Sequence, residues 1–141
     1  IRDYDVSLPE FIVDREKLIQ AILNIARNGA QAMKLSNQDN MQLSFVTRAE
    51  RQIVFRKKKH ATAIRIDIID NGPGIKNELI DKIFFPLVTG KENGSGLGLS
   101  LSQNLISLHQ GMIDCHSVPG KTVFSIILPI ENNLMPTKEK K

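Results

Sequence analysis

Apolar residues recur at helical spacing in the first quarter of the chain. Asp14 is a candidate N-cap, and the polar stretch 36–40 interrupts the pattern. The sequence therefore predicts a helix between these two points. The residues expected on its buried face are Leu18, Ile22, Leu23, Ala26, Ala30 and Met33.

Alternating apolar and polar residues predict strands at 41–47 and 63–69. The polar segment 48–62 between them is expected to extend both strands as a protruding hairpin. Two more strands, at 112–116 and 122–128, flank a turn at Pro119–Gly120.

Two shorter helices are expected in the second half of the chain. One covers 77–84, and the segment 85–96 after it has one proline, three glycines and no period, which predicts a mobile loop. The next helix is expected to bury a stripe of leucines and to end at Gly111 as a left-handed cap. The leucines of that stripe are Leu97, Leu101, Leu105 and Leu108.

These elements predict an α+β fold, a two-layer α/β sandwich with a mixed sheet and helices on one face. The length of 141 residues fits one domain, which we assign to residues 1–130. The charged tail 131–141 is expected to be disordered. Because the chain begins at Ile1 rather than Met, we interpret it as a fragment of a longer protein.

Composition indicates the cellular compartment of the protein and the classes of ligand that it excludes. A single cysteine, Cys115, excludes an internal disulfide framework and suits a reducing cytosol. No apolar run approaches the roughly 18 residues of a membrane span, so we expect a cytoplasmic chain with no membrane contact. The net charge of +4 comes largely from Arg56–Lys59 and the tail, which we interpret as solvated surface rather than a nucleic-acid site.

Two asparagines stand four residues apart on the first predicted helix. Asn24 and Asn28 therefore project from one face. Carboxamide oxygens are neutral, hard ligands that suit Mg²⁺ sharing phosphate oxygens. From the helix alone, capping or solvent exposure remains the alternative.

Asp70 follows a predicted buried strand and precedes Gly72 and Gly74. An ionised carboxylate only accepts hydrogen bonds, so it can pair with the exocyclic amine of adenine, whereas guanine presents an oxygen there. The glycines allow the backbone to approach a flat base. A simple strand-ending turn is the alternative.

The segment Gly94–Leu99 places three glycines at the start of a helix, where backbone N–H groups favour phosphates. The dinucleotide-binding pattern would need a glycine at Leu99. A P-loop ending in Gly120-Lys121-Thr122 would need one at Cys115. Both of these alternatives fail at a single position.

In this order, the motifs resemble those of the sensor histidine kinases in the GHKL ATP-binding superfamily, which have the Bergerat-type ATP-binding fold. The matching segments resemble the N box, the first glycine box, the F box, the second glycine box and the closing G-x-T-x-F strand. In this chain they are Asn24–Ala30, Asp70–Gly74, Phe84–Leu87, Gly94–Leu99 and Gly120–Phe124.

Three further segments, Arg2–Asp5, Ser7–Glu10 and Phe85–Lys91, are similar to the nitrogen-regulation sensor kinases. Two residues depart from the superfamily pattern. Gly29 stands where alanine is usual and Leu87 where a second phenylalanine is common. Gly29 should loosen the helix by roughly 1 kcal/mol, and we expect neither departure to touch the ligand contacts.

The resemblance implies roles for individual residues toward ATP and Mg²⁺. Asn28 would ligate Mg²⁺ with help from Asn24, Asp70 would recognise adenine, and Thr122 would support the adenine pocket. Lys91 is a candidate partner for the terminal phosphate, with a solvated loop lysine as the alternative. The remaining glycine-box residues would line the base pocket or hold the phosphates: Gly72, Gly74, Gly94, Ser95, Gly96, Leu97 and Gly98.

The resemblance also implies phosphoryl transfer rather than hydrolysis. The hydrolytic relatives have a glutamate where Asn24 stands, and an amide cannot act as a general base. The histidines His60, His109 and His116 lack the glutamate that follows a phosphoacceptor, so no catalytic residue is identified in this fragment. His109 is expected to be structural, with its cation favoured by the end of a helix.

The implied partners are a histidine-bearing dimerisation domain of the same protein, an NtrC-type response regulator and the PII signal protein. Segment 48–62 and the lid are candidate docking surfaces. Two alternatives remain open, namely a nucleotide-gated interaction module and an ATPase without phosphotransfer. A nucleic-acid binder using 48–60 is disfavoured, because Phe55 is the one aromatic residue among those cations.

Overall fold

The computed structural model describes residues 1–55, 57–85 and 98–130. Within these ranges five strands form one sheet in the order β1-β2-β3-β5-β4, and three helices accompany it. In chain order the elements are β1 (Arg2–Asp3), α1 (Arg15–Leu35), β2 (Leu43–Phe55), β3 (Lys58–Asp70), α2 (Asn77–Ile80), α3 (Gly98–Leu108), β4 (Met112–Val118) and β5 (Lys121–Ile130).

The sheet is mixed, because β1 pairs with β2 in parallel and the other neighbours are antiparallel. This confirms the predicted two-layer α+β architecture. The strand β1 was missing from the prediction, since two residues carry no periodic signal. The proposed tail 131–141 lies outside the described residues.

The helix α1 begins and ends as the sequence predicts. The Asp14 carboxylate accepts a hydrogen bond from the backbone N–H of Lys17 at 3.1 Å, which confirms the N-cap. At the other end, Asn37 has a φ of 51°, its N–H donates to Lys34 O, and the N–H of Gln38 donates to Met33 O. These two bonds form a Schellman motif, so the predicted break after Leu35 is a built C-cap.

The buried face of α1 differs in part from the predicted one. Leu23 and Ala30 are exposed, because they lie around the helix from the residues that contact the sheet. The buried residues of the helix are Ala21, Ile25, Ala26, Gly29 and Met33.

The helix α3 packs antiparallel to α1 through small residues rather than leucines. The Ser102 hydroxyl is fully buried and donates to the Ala21 carbonyl at 3.0 Å. The predicted leucine stripe is confirmed only at Leu105, which packs against the core, since Leu101 is 45% and Leu108 is 65% exposed, while Ile106 is buried. Leu97 lies outside the described residues.

Gly111 is required for a different reason from the one predicted. The left-handed residue at this corner is Gln110, with a φ of 60°. A Cβ on Gly111 would lie 2.6 Å from the carbonyl oxygen of Ile127 and 2.8 Å from Cγ2 of Ile106. Glycine is therefore needed for close packing against β5, and the prediction of a left-handed cap was wrong.

The predicted helix at 77–84 is shorter in the structure, because α2 ends at Ile80. The core lies between the helices and the sheet, where Ile64, Ile66 and Ile68 point inward as predicted. Phe84 and Phe124 meet edge to face there, with ring centroids 6.2 Å apart. No helix in the described part of the chain has the length and apolar character to cross a membrane.

The predicted hairpin at 48–62 is confirmed. Pairing between β2 and β3 continues to Phe55 and Lys58, whereas pairing between β3 and β5 stops at Thr62 and Ile130. Residues 52–55 and 58–61, which we name the ribbon, therefore pair only with each other among the described residues. Lys57, at the turn of the ribbon, has a φ of 60°.

Candidate nucleotide-binding site

The carboxylate of Asp70 lies at the end of β3, beneath α1. Asp70 is only 7% exposed, and its Oδ1 accepts a hydrogen bond from the backbone N–H of Gly72 at 2.9 Å. The hydrogen bond fixes the orientation of the carboxylate relative to the turn that follows. A buried acidic group held in this way can recognise a donor on a ligand.

Two glycines leave the space that this carboxylate fills. A Cβ on Gly29 of α1 would lie 2.9 Å from Oδ2 of Asp70, and a Cβ on Gly72 would lie 2.8 Å from Oδ1. A Cβ on Gly72 would also come within 3.1 Å of Cγ of Met33. A side chain at position 29 would therefore crowd Asp70, while the expectation that Gly29 stays clear of the ligand contacts stays a prediction.

Thr122 lies beside Asp70 on the neighbouring strand. The two residues are opposite each other in the register of β3 and β5, so their side chains share a face of the sheet. Thr122 is 3% exposed, and its Oγ1 lies 2.7 Å from Oγ of Ser117, which accepts the N–H of Ile75 at 2.8 Å. The predicted partner of the adenine pocket is thus brought next to the predicted adenine reader.

The turn after Asp70 is fastened to the turn between β4 and β5. Gly120 donates its N–H to the carbonyl of Gly72 at 2.9 Å. Gly74 has a φ of +87°, and a Cβ there would lie 3.0 Å from the carbonyl oxygen of Val118. Gly74 is therefore needed for the backbone path of the turn.

The residue between Asp70 and Gly72 also anchors the turn, and the sequence patterns missed it. Asn71 forms five hydrogen bonds with the loop between α1 and β2. Its partners are Gln38, Asn40 and Gln42. Asparagine in a turn is usually assigned to the turn itself, and a contact made 33 residues away in sequence leaves no local pattern.

Asn24 and Asn28 lie on α1 near the same carboxylate. Both are half-buried, and Asn28 directly precedes Gly29, where an added Cβ would lie 2.9 Å from Oδ2 of Asp70. One helical turn separates the two asparagines, or about 6 Å along the axis. The helix thus presents two amides in a row that leads away from the predicted adenine position.

The N-terminus of α3 reaches the same row of amides. The antiparallel contact of Ser102 with Ala21 places Gly98, four residues earlier, level with Ile25 of α1. A Cβ on Gly98 would meet nothing within 4 Å. Backbone N–H groups at a helix start favour anions, which agrees with the predicted phosphate position at this end of α3.

Several predicted phosphate-site residues lie outside the described residues: Lys91, Gly94, Ser95, Gly96 and Leu97. Residues 86–96 of the predicted mobile loop also lie outside the described residues. They include Pro86 and Leu87 of the F box.

The negative charge of Asp70 reaches a neighbouring thiol. Burial, together with the charges of Asp114 and Asp70, raises the pKa of Cys115 from 9.0 to about 12. A thiol with this pKa stays neutral at physiological pH and is a poor nucleophile. Cys115 is therefore part of the wall behind the site rather than a reactive group.

The donor groups fit Mg²⁺ bound together with a triphosphate. Within the described ranges, no group of three or more His, Cys, Asp or Glu side chains is placed to hold a metal ion. The amides of Asn24 and Asn28 are neutral, so most of the charge opposite the metal would come from phosphate oxygens. This division is the usual one for Mg²⁺ in nucleotide sites.

His109 is structural, as predicted, but not as a cation. Its Nδ1 donates to the carbonyl of Leu105 at 2.8 Å, and its Nε2 accepts the backbone N–H of Asp14 at 3.0 Å. A ring that accepts at one nitrogen is neutral. The predicted interaction of its cation with the helix dipole is wrong, and the ring instead joins α3 to the start of α1.

A sequence model of one protein family matches residues 13–132 of the chain. The family is described as histidine kinase-, DNA gyrase B- and HSP90-like ATPase. The match covers all of α1, the turn after Asp70 and the start of α3, which are the elements that build the site.

Curated relatives carry the name sensory histidine kinase/phosphatase NtrB. The protein from Vibrio alginolyticus is 50% identical over 129 residues, which cover 92% of this chain and 36% of that protein. The protein from Salmonella typhimurium is 46% identical over 130 residues, with the same two coverages. The chain thus spans about a third of the length of the curated relatives that it matches.

Solved structures show the same architecture. The catalytic domain of the histidine kinase ThkA, in a nucleotide-free form, superposes with a TM-score of 0.71 at 25% identity, covering 92% of this chain and 78% of that one. The mycobacterial sensor histidine kinase MprB gives a TM-score of 0.67 at 21% identity over 92% and 84% of the two chains. The second likeness concerns the fold alone.

Proposed function

The chain belongs to the family of histidine kinase-, DNA gyrase B- and HSP90-like ATPases. From that premise, we propose that it is the ATP-binding catalytic domain of a sensor histidine kinase, and that it donates the γ-phosphoryl group of ATP to a histidine on a separate dimerisation domain. The observation that carries the proposal is the buried carboxylate of Asp70, held between Gly29 and Gly72 opposite Thr122.

Asp70 recognises the adenine ring in this proposal. Its carboxylate accepts the exocyclic amine, and Thr122 supports the pocket from the neighbouring strand. Guanine would place an oxygen against the carboxylate, and a buried pair of acceptors without a proton between them is strongly disfavoured. The site should therefore prefer ATP over GTP.

The triphosphate extends from Asp70 along α1. Asn28 and Asn24 supply amide oxygens for Mg²⁺, and the N-terminus of α3 at Gly98 supplies backbone donors. Lys91 and residues 94–97 would complete this end of the site. Bound Mg²⁺ would supply charge neutralisation for the phosphates. The chain itself orients the terminal phosphate, and positioning of this kind provides most of the catalysis in phosphoryl transfer.

The balance of the reaction is simple. The unprotonated ring nitrogen of the acceptor histidine attacks the γ-phosphorus, the bond to the β–γ bridging oxygen breaks, ADP leaves, and the other ring nitrogen releases its proton to solvent. The described histidines are unsuited as acceptors in the chain itself, since His60 is buried and His109 uses both ring nitrogens in hydrogen bonds. His116 is exposed but is paired with Asp114.

The relatives named NtrB support a finer assignment. We propose a role in nitrogen regulation in the cytoplasm, with an NtrC-type response regulator receiving the phosphoryl group and the PII signal protein as a further partner. The support is the 50% identity to the Vibrio alginolyticus protein over this domain. The ribbon is a candidate docking surface for these partners.

Two measurements test the proposal. Calorimetry with Mg²⁺ should give saturable ATP binding and weaker GTP binding, and the absence of heat with folded protein would overturn the assignment. Radiolabelled ATP mixed with this chain and the histidine-bearing dimerisation domain should then yield phosphohistidine. An Asn28→Ala variant should lose the label transfer and serves as the control.

The same experiment separates the alternatives. Tight ATP binding without any phosphohistidine would favour a nucleotide-gated interaction module. Fast release of inorganic phosphate by the chain alone, lost in Asn28→Ala, would favour an ATPase. Asn24 cannot take a proton from water as a glutamate can, so we expect hydrolysis to be slow.

A further inference from the structure

We infer that Asn71 and Gln38, a pair of side-chain amides outside the predicted nucleotide contacts, position Asp70 relative to α1. This pair, which we name the amide clamp, joins the end of the helix that carries Asn24 and Asn28 to the turn that carries the adenine reader. The inference rests on the proposed binding of ATP and assigns a positioning role to residues that would not touch the nucleotide.

The geometry of the clamp leaves little freedom. The Nε2 group of Gln38 donates to Oδ1 of Asn71 at 2.8 Å and to its backbone carbonyl at 2.9 Å. Oδ1 of Asn71 also accepts the N–H of Gln42 at 2.8 Å, and its Nδ2 donates to the carbonyl of Asn40 at 2.8 Å. Its own N–H donates to Gln42 O at 3.2 Å. Both the side chain and the peptide of Asn71 are therefore fixed.

The Gln38 side of the clamp is fixed by α1. Gln38 is the last residue of the Schellman motif, and its N–H donates to the carbonyl of Met33 at 3.3 Å. Met33 is buried on α1, and its Cγ lies 3.1 Å from the Cβ position of Gly72. The C-cap of α1 thus fixes the position of Gln38, which does not belong to a free loop.

The Asn71 side of the clamp acts on the carboxylate through one peptide. Asn71 separates Asp70 from Gly72, and the N–H of Gly72 holds Oδ1 of Asp70 at 2.9 Å. Rotation of the peptide between Asn71 and Gly72 would carry that N–H away from the carboxylate. The clamp opposes the rotation and so keeps the carboxylate aimed at one position.

This arrangement matters because the two ends of a nucleotide are read by different elements. Asp70 is on β3, whereas the amides for Mg²⁺ are on α1. A nucleotide bound at both ends requires a fixed distance between these elements, and preorganisation of this distance raises affinity. Most bonds of the clamp involve the side chain of Gln38 or Asn71, so they can be removed by substitution without changing any residue that is proposed to contact the nucleotide.

The test compares two nucleotides on three proteins. ATP and purine riboside triphosphate, which lacks the exocyclic amine, are titrated calorimetrically into wild type, Asn71→Ala and Gln38→Ala. Loss of one neutral hydrogen bond corresponds to a fall in affinity of about tenfold. We expect each variant to lose about this much ATP affinity and to change little toward the analogue, because the analogue offers no amine to Asp70.

Asn40→Ala is the matched control. It makes the same chemical change in the same loop, but Asn40 contributes only its backbone carbonyl to the clamp, so ATP affinity should stay within about twofold of wild type. Asn71→Asp retains the two bonds accepted by Oδ1 but places an oxygen against the carbonyl oxygen of Asn40. Its ATP affinity should therefore lie between those of wild type and Asn71→Ala. Thermal unfolding of each variant identifies material that has failed to fold.

The outcomes are distinct. Equal losses for ATP and for the analogue, in folded variants, would overturn the positioning role, as would ATP affinities that do not change. Wild type that does not distinguish the two nucleotides would instead overturn the recognition of adenine by Asp70. A double variant of Gln38 and Asn71 that loses no more ATP affinity than either single variant would confirm that the two residues act as one unit.

Discussion

The two ends of β3 are built from the same pair of strands but are held in very different ways. At the Asp70 end, α1, β5, the loop 36–42 and the turn at Gly120 all contact the strand or the turn after it. At the other end, the ribbon pairs only with itself among the described residues. The Asp70 end is therefore held by several other segments, whereas exposed ribbon positions such as Val54 should tolerate changes of side chain.

The difference shows which contacts make one end of this strand pair rigid. Backbone hydrogen bonds are formed at both ends of the β2–β3 pair, so strand pairing alone does not distinguish them. The distinction lies in contacts from outside the pair, which convert one strand end into a fixed binding element. Substitutions at the two ends should therefore separate nucleotide affinity from stability.

The largest effect is expected for Asp70→Asn. The change preserves the shape of the side chain but puts an amide where an ionised acceptor is needed, and ATP affinity should fall by about 1–3 kcal/mol. Calorimetry with ATP and GTP checks this, and the preference for ATP should shrink. Val54→Thr on the ribbon, where Val54 is 62% exposed, should leave both affinities unchanged. Equal losses for the two variants would break the comparison.

A graded pair at Gly29 should give the next largest effect. The Cβ of Gly29→Ala displaces the Asp70 carboxylate by a small distance, which we expect to lower ATP affinity about threefold, and the larger side chain of Gly29→Val should lower it by more than about tenfold. The free energy of unfolding should change less in Gly29→Ala than in Gly29→Val, because alanine gains roughly 1 kcal/mol of helix propensity over glycine.

The control for Gly29→Val is Ala30→Val. It introduces the same side chain one residue later in the helix, on the exposed face. ATP affinity should be unaffected there. If Ala30→Val weakens ATP binding as much as Gly29→Val does, the contact of Gly29 with Asp70 is not the cause.

A smaller effect, of opposite sign, is expected at the ribbon turn. Lys57 has a positive φ, which disfavours a residue with a side chain. Lys57→Gly should raise the free energy of unfolding by about 0.5–1 kcal/mol, with ATP affinity unchanged. Lys58→Gly removes the same charge within β3 and should instead lower stability. Urea unfolding measures both, and a loss of stability in Lys57→Gly would contradict the expectation.

The smallest effect is a dependence of stability on alkaline pH through Cys115. Burial, Asp114 and Asp70 hold the pKa of this thiol at about 12 in the folded chain, above its ordinary value of 9.0. The unfolded chain therefore ionises first, and stability falls as the pH rises from 9.0 toward 12. At pH 9.0 the loss relative to Cys115→Ala should be at most about 0.4 kcal/mol. Equal slopes for the two proteins would contradict this.

Local rules foresaw the elements in which one residue acts on its immediate neighbours. The cap at Asp14 and the inward row of Ile64, Ile66 and Ile68 follow from hydrogen bonding and periodicity within a few residues. The motif order predicts Asp70 and Thr122 as site residues, and the register places the two side by side, while their role toward a nucleotide stays a prediction.

Close approaches between distant segments were not visible in the sequence. The leucine stripe on α3 was misassigned because the crossing with α1 uses Ser102 and Ala21, where small size rather than hydropathy decides the contact. Gly29 and Gly111 are required by atoms of residues more than ten positions away. Asn71 depends on a partner in another loop. Periodicity reports which face is buried but not how near the next backbone lies.

The ribbon has a consequence for the colloidal behaviour of the chain. Within residues 1–55, 57–85 and 98–130, no third strand pairs with the ribbon, and a second molecule could add a strand to its backbone. Lysines at 57, 58 and 59 line this edge, all of them exposed. Repulsion between like-charged edges opposes such pairing.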